Sequence, residues 1–233
     1  MNLVAILAGG VGARMGLTLP KQFYKFAGRT VLEHSVQAFE NHPDIDKIVI
    51  VMNSDYIDEA KAIVKNNHWE KVEQVIIGGN NRFDSSAAAI DYFMGYDDKD
   101  KLLIHDAARP LVNKKLIDKV LTALDKYDAV SIGVTPQDTI IEINEKEEIV
   151  ASPERAKLIA AQTPQGFKLG IVSKAYELAT KKVDFSATDD CGVVAKMLPN
   201  VKIFVAQGDE HNKKLTTPED LPLFEYYFSK NKN

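Results

Sequence analysis

The sequence predicts an α/β fold built on a Rossmann-like, mostly parallel sheet flanked by helices, on three observations. Short β-rich runs alternate with helical patterns of ten or so residues, the rhythm of βαβ units. The β-runs are continuously apolar rather than alternating, as expected of strands covered on both faces. The first run, "NLVAILA" (2–8), leads straight into a glycine-rich loop, "GGVGARMG" (9–16).

The elements follow in order. Residues 2–8 read as a buried strand. "VLEHSVQAF" (31–39) reads as a helix, with Val31, Leu32, Val36 and Phe39 near helical spacing. "KIVIVM" (47–52) is a second strand. "SDYIDEAKAIVKNN" (54–67) is a helix with Ser54 in N-cap position and Ile57, Ala60, Ile63 and Val64 on one face. "VEQVII" (72–77) is a third strand, "SSAAAIDYFM" (85–94) a helix and "KLLIH" (101–105) a fourth strand. In "NKKLIDKVLTALDK" (113–126), Leu116, Ile117, Val120, Leu121 and Leu124 form an apolar helical face.

Residues 128–167 break the rhythm: they hold several β-like runs and no good helix. "TIIEI" and "EIVAS" flank the charged turn "NEKEE", which predicts a hairpin. The segment reads as an antiparallel arm, at about 137–160, inserted in the sheet topology. "GIVSKAYELATKK" (170–182) resumes helix, and "VKIFVAQ" (201–207) is a last strand. "TTPEDLPLFEYYF" (216–228) opens a terminal helix: Thr217 suits the N-cap, Pro218 the first helical position, and Glu219 and Asp220 the positive end of the dipole. No repeat, low-complexity tract or linker divides the chain, so residues 1–233 read as one domain with an arm.

Composition narrows the function classes. A formal net charge of −4 argues against a protein that coats nucleic acid, while leaving room for a local cationic pocket. The single cysteine, Cys191, allows no intrachain disulfide, which fits a reducing compartment. The N-terminus lacks the basic flank and apolar length of a signal peptide. No stretch approaches the ~20 apolar residues a membrane helix needs. The expectation is a cytoplasmic protein with no nucleic-acid or membrane partner.

Chemistry concentrates in "LAGGVGARMGLTLPKQF" (7–23). In open α/β sheets, ligands bind beyond the carboxyl ends of the strands, where this loop lies. Gly9, Gly10 and Gly12 carry no β-carbon, so backbone N–H groups can approach a phosphate. Arg14 can grip phosphate oxygens with a planar fork, and Lys21 adds a compact charge. The spacing matches neither G-x-x-x-x-G-K-[ST] nor G-x-G-x-x-G, which sets aside the P-loop and dehydrogenase readings. In "IHDAARP", Asp106 ends a strand where a carboxylate could help hold Mg²⁺, accept a bond from a substrate hydroxyl, or cap the turn. In "GGNNRFDS" (78–85), Gly79, Asn80 and Ser85 could face a base edge, or form an ordinary strand–turn–helix connection in which Arg82 is structural. The sequence shows no Ser/His/Asp triad, and no His/Cys cluster that would point to zinc.

"LAGGVGARMG…LPKQF" resembles the signature of the sugar-phosphate nucleotidyltransferases, and more narrowly the polyol-phosphate cytidylyltransferases. Those enzymes act on 2-C-methyl-D-erythritol 4-phosphate or on ribitol 5-phosphate. The likeness continues through "GGNNRFDS", "HDAARPLV", "QDTI", "PERAKLIAAQTPQGF", "TDD" and "NKKLTTPEDL". It implies cytidylyl transfer from CTP to a phosphorylated polyol, with Mg²⁺ on the triphosphate. By resemblance, Arg14 and Lys21 are catalytic, and Ala8, Gly9, Gly10, Gly12, Gly79, Asn80 and Ser85 bind the nucleotide. The substrate residues would be Asp106, Arg109, Thr139, Arg155, Thr188 and Lys214. Thr139 and Arg155 would reach across a homodimer formed through the arm. "HDAARPLV", "AAQTPQGF" and "TTPEDL" lean to the methylerythritol phosphate enzyme; "LAGG", "LPKQF", "DTIIE" and "TDDC" lean to the ribitol phosphate enzyme. A nucleotide-binding regulator that has lost turnover is the reading outside enzymes.

Overall fold

A computed structural model describes residues 1–10 and 20–230. Arg14 and Gly12 therefore lie outside the described residues. Seven strands form one sheet: β1 (Asn2–Leu7), β4 (Lys47–Met52), β5 (Val72–Ile77), β6 (Lys101–Asp106), β7 (Ala129–Val134), β10 (Ala160–Lys168) and β11 (Ile203–Gln207). Two short hairpins stand apart, β2 (Lys25–Phe26) with β3 (Arg29–Thr30), and β8 (Glu142–Ile143) with β9 (Ile149–Ala151). The sheet order is β11-β7-β10-β6-β1-β4-β5, and β10 is its one antiparallel member. From β1 the chain crosses to β4 and β5 on one side, then returns to β6 on the other. That reversal creates a crevice beyond the carboxyl ends of β1 and β6, where open sheets bind ligands.

The inner parallel strands β1, β4, β6 and β7 are buried on both faces, whereas the edge strands β5 and β11 are largely exposed; the side chains of the inner strands alternate between two cores. Leu3 and Ala5 of β1 join Val49 and Val51 under α3 (Arg82–Tyr92), α5 (Leu169–Thr180) and α6 (Asp190–Met197). Val4 and Ile6 join Ile48, Ile50 and Met52 under α1 (Val31–Glu40), α2 (Ile57–Asn67) and α4 (Lys114–Ala123). A buried aliphatic side chain of this kind contributes about 1.5–3 kcal/mol. A third cluster, with Phe26, Val31, Leu111, Leu215 and Phe224, holds the terminal helix α7 (Leu221–Lys230) beside the site.

Helix starts follow the expected chemistry with local differences. Thr30 and Glu33 form a reciprocal capping box on α1. Ser54 does not cap α2. A 3₁₀ turn, Ser54–Tyr56, precedes that helix, and Asn53 caps the turn by accepting from the Asp55 amide. Asn81 caps α3, so this helix starts three residues before the apolar pattern at 85.

The segment 128–167 divides. Its ends, β7 and β10, run in the central sheet, and only the β8–β9 hairpin stands apart from it. A strand with Gln162, Thr163 and Gln165 all buried carries no apolar run, which hid β10 in the sequence. The helix α6 and the β2–β3 hairpin likewise had no sequence prediction. No helix among the described residues is long and apolar enough to cross a membrane.

Candidate active site

The crevice at the β1/β6 reversal is a cleft of about 430 Å³. Ala8, Gly9 and Gly10, at the end of β1, form one side. Gly79, Asn80 and Ser85, before and within the first turn of α3, form another. Lys21, Asp106 and Lys214 complete it. Nine residues singled out in the sequence thus converge from four separate stretches of chain.

Gly79 is dictated by packing. A β-carbon there would lie 2.0 Å from Cβ of Asp84, so a side chain cannot fit beneath α3. Gly10 differs: a β-carbon would meet no atom of the described residues within 4 Å, and Gly10 lines the cleft rather than the core. Gln22 is buried below and donates from Nε2 to the Ala8 carbonyl at 2.7 Å, fixing the chain where it leaves β1. The Ser85 hydroxyl donates to the Asn81 carbonyl at 2.9 Å.

A second cleft, of about 220 Å³, adjoins the first. Arg109, Thr163, Gln165, Thr188 and Asp189 line it, and it shares Arg82, Asp106 and Lys214 with its neighbour. These three form the wall between the clefts. Asp106 Oδ1 accepts from Arg82 Nε at 3.1 Å, and Oδ2 from Lys214 Nζ at 2.7 Å. Burial pushes the Asp106 carboxyl up, but the charges of Arg82, Lys214 and Arg109 outweigh that and hold it well below the usual carboxylate range. Arg82 is the residue whose weight the sequence understated. It is the first residue of α3, where a cation opposes the helix dipole, and two carboxylates compensate: Asp106, and Asp190 at 2.8 Å from Nη2.

The backbone under this wall is pinned by a directional chain. The Asp106 amide donates to Thr163 Oγ1 at 3.1 Å; that hydroxyl donates to His105 Nδ1 at 3.1 Å; Nε2 of His105 donates to the Arg109 carbonyl at 3.2 Å. His105 is fully buried, and burial pushes its pKa down to about 3, so the ring is neutral and the chain keeps one polarity.

The C-terminal stretch closes the site. The Leu215 amide donates to the Ala108 carbonyl at 2.7 Å, and Lys21 Nζ donates to the Leu215 carbonyl at 3.1 Å. Asn212 Nδ2 donates to the Thr163 carbonyl at 2.9 Å, and Arg109 Nη1 to the Asn212 carbonyl at 2.8 Å. Asn212, Asp190 and Gln165 escaped the sequence reading as site residues. Their only signal was membership of the motifs "NKKLTTPEDL", "TDD" and "AAQTPQGF".

Thr139 and Arg155 line neither cleft. They bond to each other, Arg155 Nη2 to Thr139 Oγ1 at 3.1 Å, on the exposed arm. A possible metal grouping exists among the described residues: His42, Asp44 and Asp118 bring their ligand atoms within 4.8 Å of one another. It lies outside both clefts, and both His42 nitrogens are engaged. Nδ1 accepts from the Asp44 amide at 3.2 Å, and Nε2 faces Asp118 at 3.0 Å.

A reversed-crossover sheet, a glycine-edged cleft and an adjoining cationic cleft give the chain an α/β, nucleotidyltransferase-like fold. The matching family model, 2-C-methyl-D-erythritol 4-phosphate cytidylyltransferase (IspD), spans residues 2–230, and the chain belongs to that family of CMP-transferring enzymes. It is 44% identical over 225 residues to the 2-C-methyl-D-erythritol 4-phosphate cytidylyltransferase of Thermobifida fusca, covering 95% of this chain and 90% of that one. It is 42% identical over 228 residues to the bifunctional ribulose 5-phosphate reductase/CDP-ribitol pyrophosphorylase Bcs1 of Haemophilus influenzae, covering 97% of this chain but 48% of that one. The crystal structure of 4-diphosphocytidyl-2C-methyl-D-erythritol synthase from Anaerococcus prevotii superposes with a TM-score of 0.84 at 26% identity, covering 98% of both chains.

Proposed function

We propose that this chain transfers the cytidylyl group of CTP to 2-C-methyl-D-erythritol 4-phosphate. An acceptor phosphate oxygen forms a bond to the α-phosphorus as the α–β bridging P–O bond breaks, giving a CDP-polyol and pyrophosphate. The observation that carries the reading is the shared wall. Two clefts, one edged by glycines and one by Arg109 and Thr188, meet at Arg82, Asp106 and Lys214. Two bound phosphates would meet where cations are already fixed, which is what an associative transfer between them requires.

In this assignment the backbone of Ala8, Gly9, Gly10 and Gly12 wraps the triphosphate, and Gly79, Asn80 and Ser85 read cytosine. Arg14 and Lys21 stabilise charge on the oxygens around the α-phosphorus. Asp106, Arg109, Thr188 and Lys214 hold the acceptor. Mg²⁺, when bound, would neutralise charge on the CTP phosphates. Both Asp106 oxygens already accept from cationic side chains, so the triphosphate is assigned as the main source of metal ligands. The whole chain acts as one domain in the cytoplasm. Its arm, at about 137–160, embraces a second copy and carries Thr139 and Arg155 to that copy's acceptor cleft. Exposed Ile140, Ile141, Ile143 and Ile149 on this arm support that assembly.

Ribitol 5-phosphate is the second acceptor reading, supported by the likeness to the Haemophilus protein over nearly the whole chain. Pyrophosphate release from CTP, measured with each polyol phosphate, tests both. Faster turnover of ribitol 5-phosphate would overturn the first assignment. CTP binding without release in either case would favour a regulator.

A further inference from the structure

Arg82 is held from two sides, and the second hold comes from outside both clefts. Tyr176, on α5, is buried, and its hydroxyl donates to Asp190 Oδ1 at 2.6 Å. The other oxygen of Asp190 accepts from Arg82 Nη2 at 2.8 Å, and Arg82 Nε in turn donates to Asp106. Asp190 is fully buried at the start of α6, where the helix dipole favours an anion, and Gln165 accepts from its amide at 3.1 Å. Phe83 stacks on the Tyr176 ring at 4.7 Å between centroids. A guanidinium carries five N–H donors, and these two carboxylates account for two of them.

We infer that Tyr176 is a positioning residue for the transfer reaction: through Asp190 it fixes the Arg82 guanidinium in the wall between the two clefts. The inference rests on the cytidylyl-transfer reading. A phenylalanine would supply the same ring to Phe83 and the same core packing. Only the hydroxyl distinguishes tyrosine; beside its contact with Ser86, it donates to the carboxylate that anchors Arg82. Without that donor, Asp190 keeps a buried oxygen unpaired and rotates to share Arg82 differently. The Nε contact to Asp106 then loosens. A hydrogen bond to a charged group accounts for about a tenfold change.

The test is a double-mutant cycle on kcat/KM for the acceptor, using CTP with 2-C-methyl-D-erythritol 4-phosphate, or ribitol 5-phosphate if the wild type turns over that instead. Tyr176→Phe is expected to lower kcat/KM about tenfold while the thermal midpoint stays within a few degrees. In an Arg82→Gln background the same change is expected to have no further effect. Multiplicative losses, or a Tyr176→Phe enzyme within twofold of wild type, would overturn the inference. Asp190→Asn run through the same cycle serves if Tyr176→Phe does not fold. Failure of both to fold would assign the tyrosine to stability and overturn it too. A wild type that releases no pyrophosphate with either acceptor would instead sink the cytidylyl-transfer reading.

Discussion

Lys214 Nζ lies 2.7 Å from Asp106 Oδ2, so a lysine near the C-terminus completes a site opened by the first strand. The approach is enforced by the Leu215–Ala108 backbone bond and by burial of Leu215 in the cluster that seats α7. Lys214→Met keeps the bulk and removes the charge. We expect kcat/KM to fall about 10²–10³-fold, as for other preorganised donors. Steady-state pyrophosphate release measures it; a loss below about threefold would remove Lys214 from the reaction.

Gly79→Ala is expected to destabilise the chain by at least about 1–3 kcal/mol, because the new methyl meets Asp84 and α3 must move. Gly10→Ala, whose new methyl meets no atom of the described residues within 4 Å, should leave the thermal midpoint unchanged while weakening CTP binding. Calorimetric unfolding and CTP titration on the two variants separate packing from binding. Equal midpoints for both would contradict the account of Gly79.

Acid should destabilise the fold through two groups with the same sign. His105, neutral and buried at about 3, is protonated in the unfolded chain once pH drops below ~6.5, so stability falls between pH 6.5 and 3 by up to about 1.4 kcal/mol per unit. Asp106, held low by its cationic partners, keeps its contribution above the ordinary carboxylate value of 3.8 and loses it as pH falls further toward its folded value. Urea midpoints at pH 7 and pH 5 check the first window. His105→Asn should flatten that slope; an unchanged slope would exclude His105 as its source.

Placing aspartates at Ile143 and Ile149 charges the exposed arm without touching the sheet. We expect a dimer to monomer shift in sedimentation, with Arg155→Ala raising KM for the acceptor and not for CTP. A wild type that is monomeric at micromolar concentration would dismiss the cross-subunit role.

Much of the framework was legible because inner strands buried on both faces must be apolar runs: residues 47–52 match their predicted strand end to end, and the half-exposed edge strand 72–77 also keeps its predicted bounds. The polar strand β10 was not legible. Its buried Gln162, Thr163 and Gln165 are paid for by hydrogen bonds to Asp209, His105 and Asp189, partners set by tertiary packing. α6 was missed for a related reason: its start, Asp189 and Asp190, reads as a polar loop until Gly192 and Arg82 are in place. Gly79, Asp106 and Lys214 could be singled out from motif context, but Arg82 needed two distant carboxylates to show its weight.

The antiparallel run of β10 has a further consequence. Its neighbour β6 reaches the crevice with its last residue, Asp106, whereas β10 reaches it near its start, from Ala161, soon after the arm. The glycine cleft is lined mainly from the β1, β4 and β5 half of the sheet and the Arg109–Thr188 cleft mainly from the β10, α6 and C-terminal half, with Arg82, Asp106 and Lys214 common to both. The molecule is thus divided along a seam. Under the proposed assignment, substitutions on the β10 side away from the shared wall would retune which polyol phosphate is accepted while leaving the glycine cleft intact, so donor and acceptor preference could diverge at different rates.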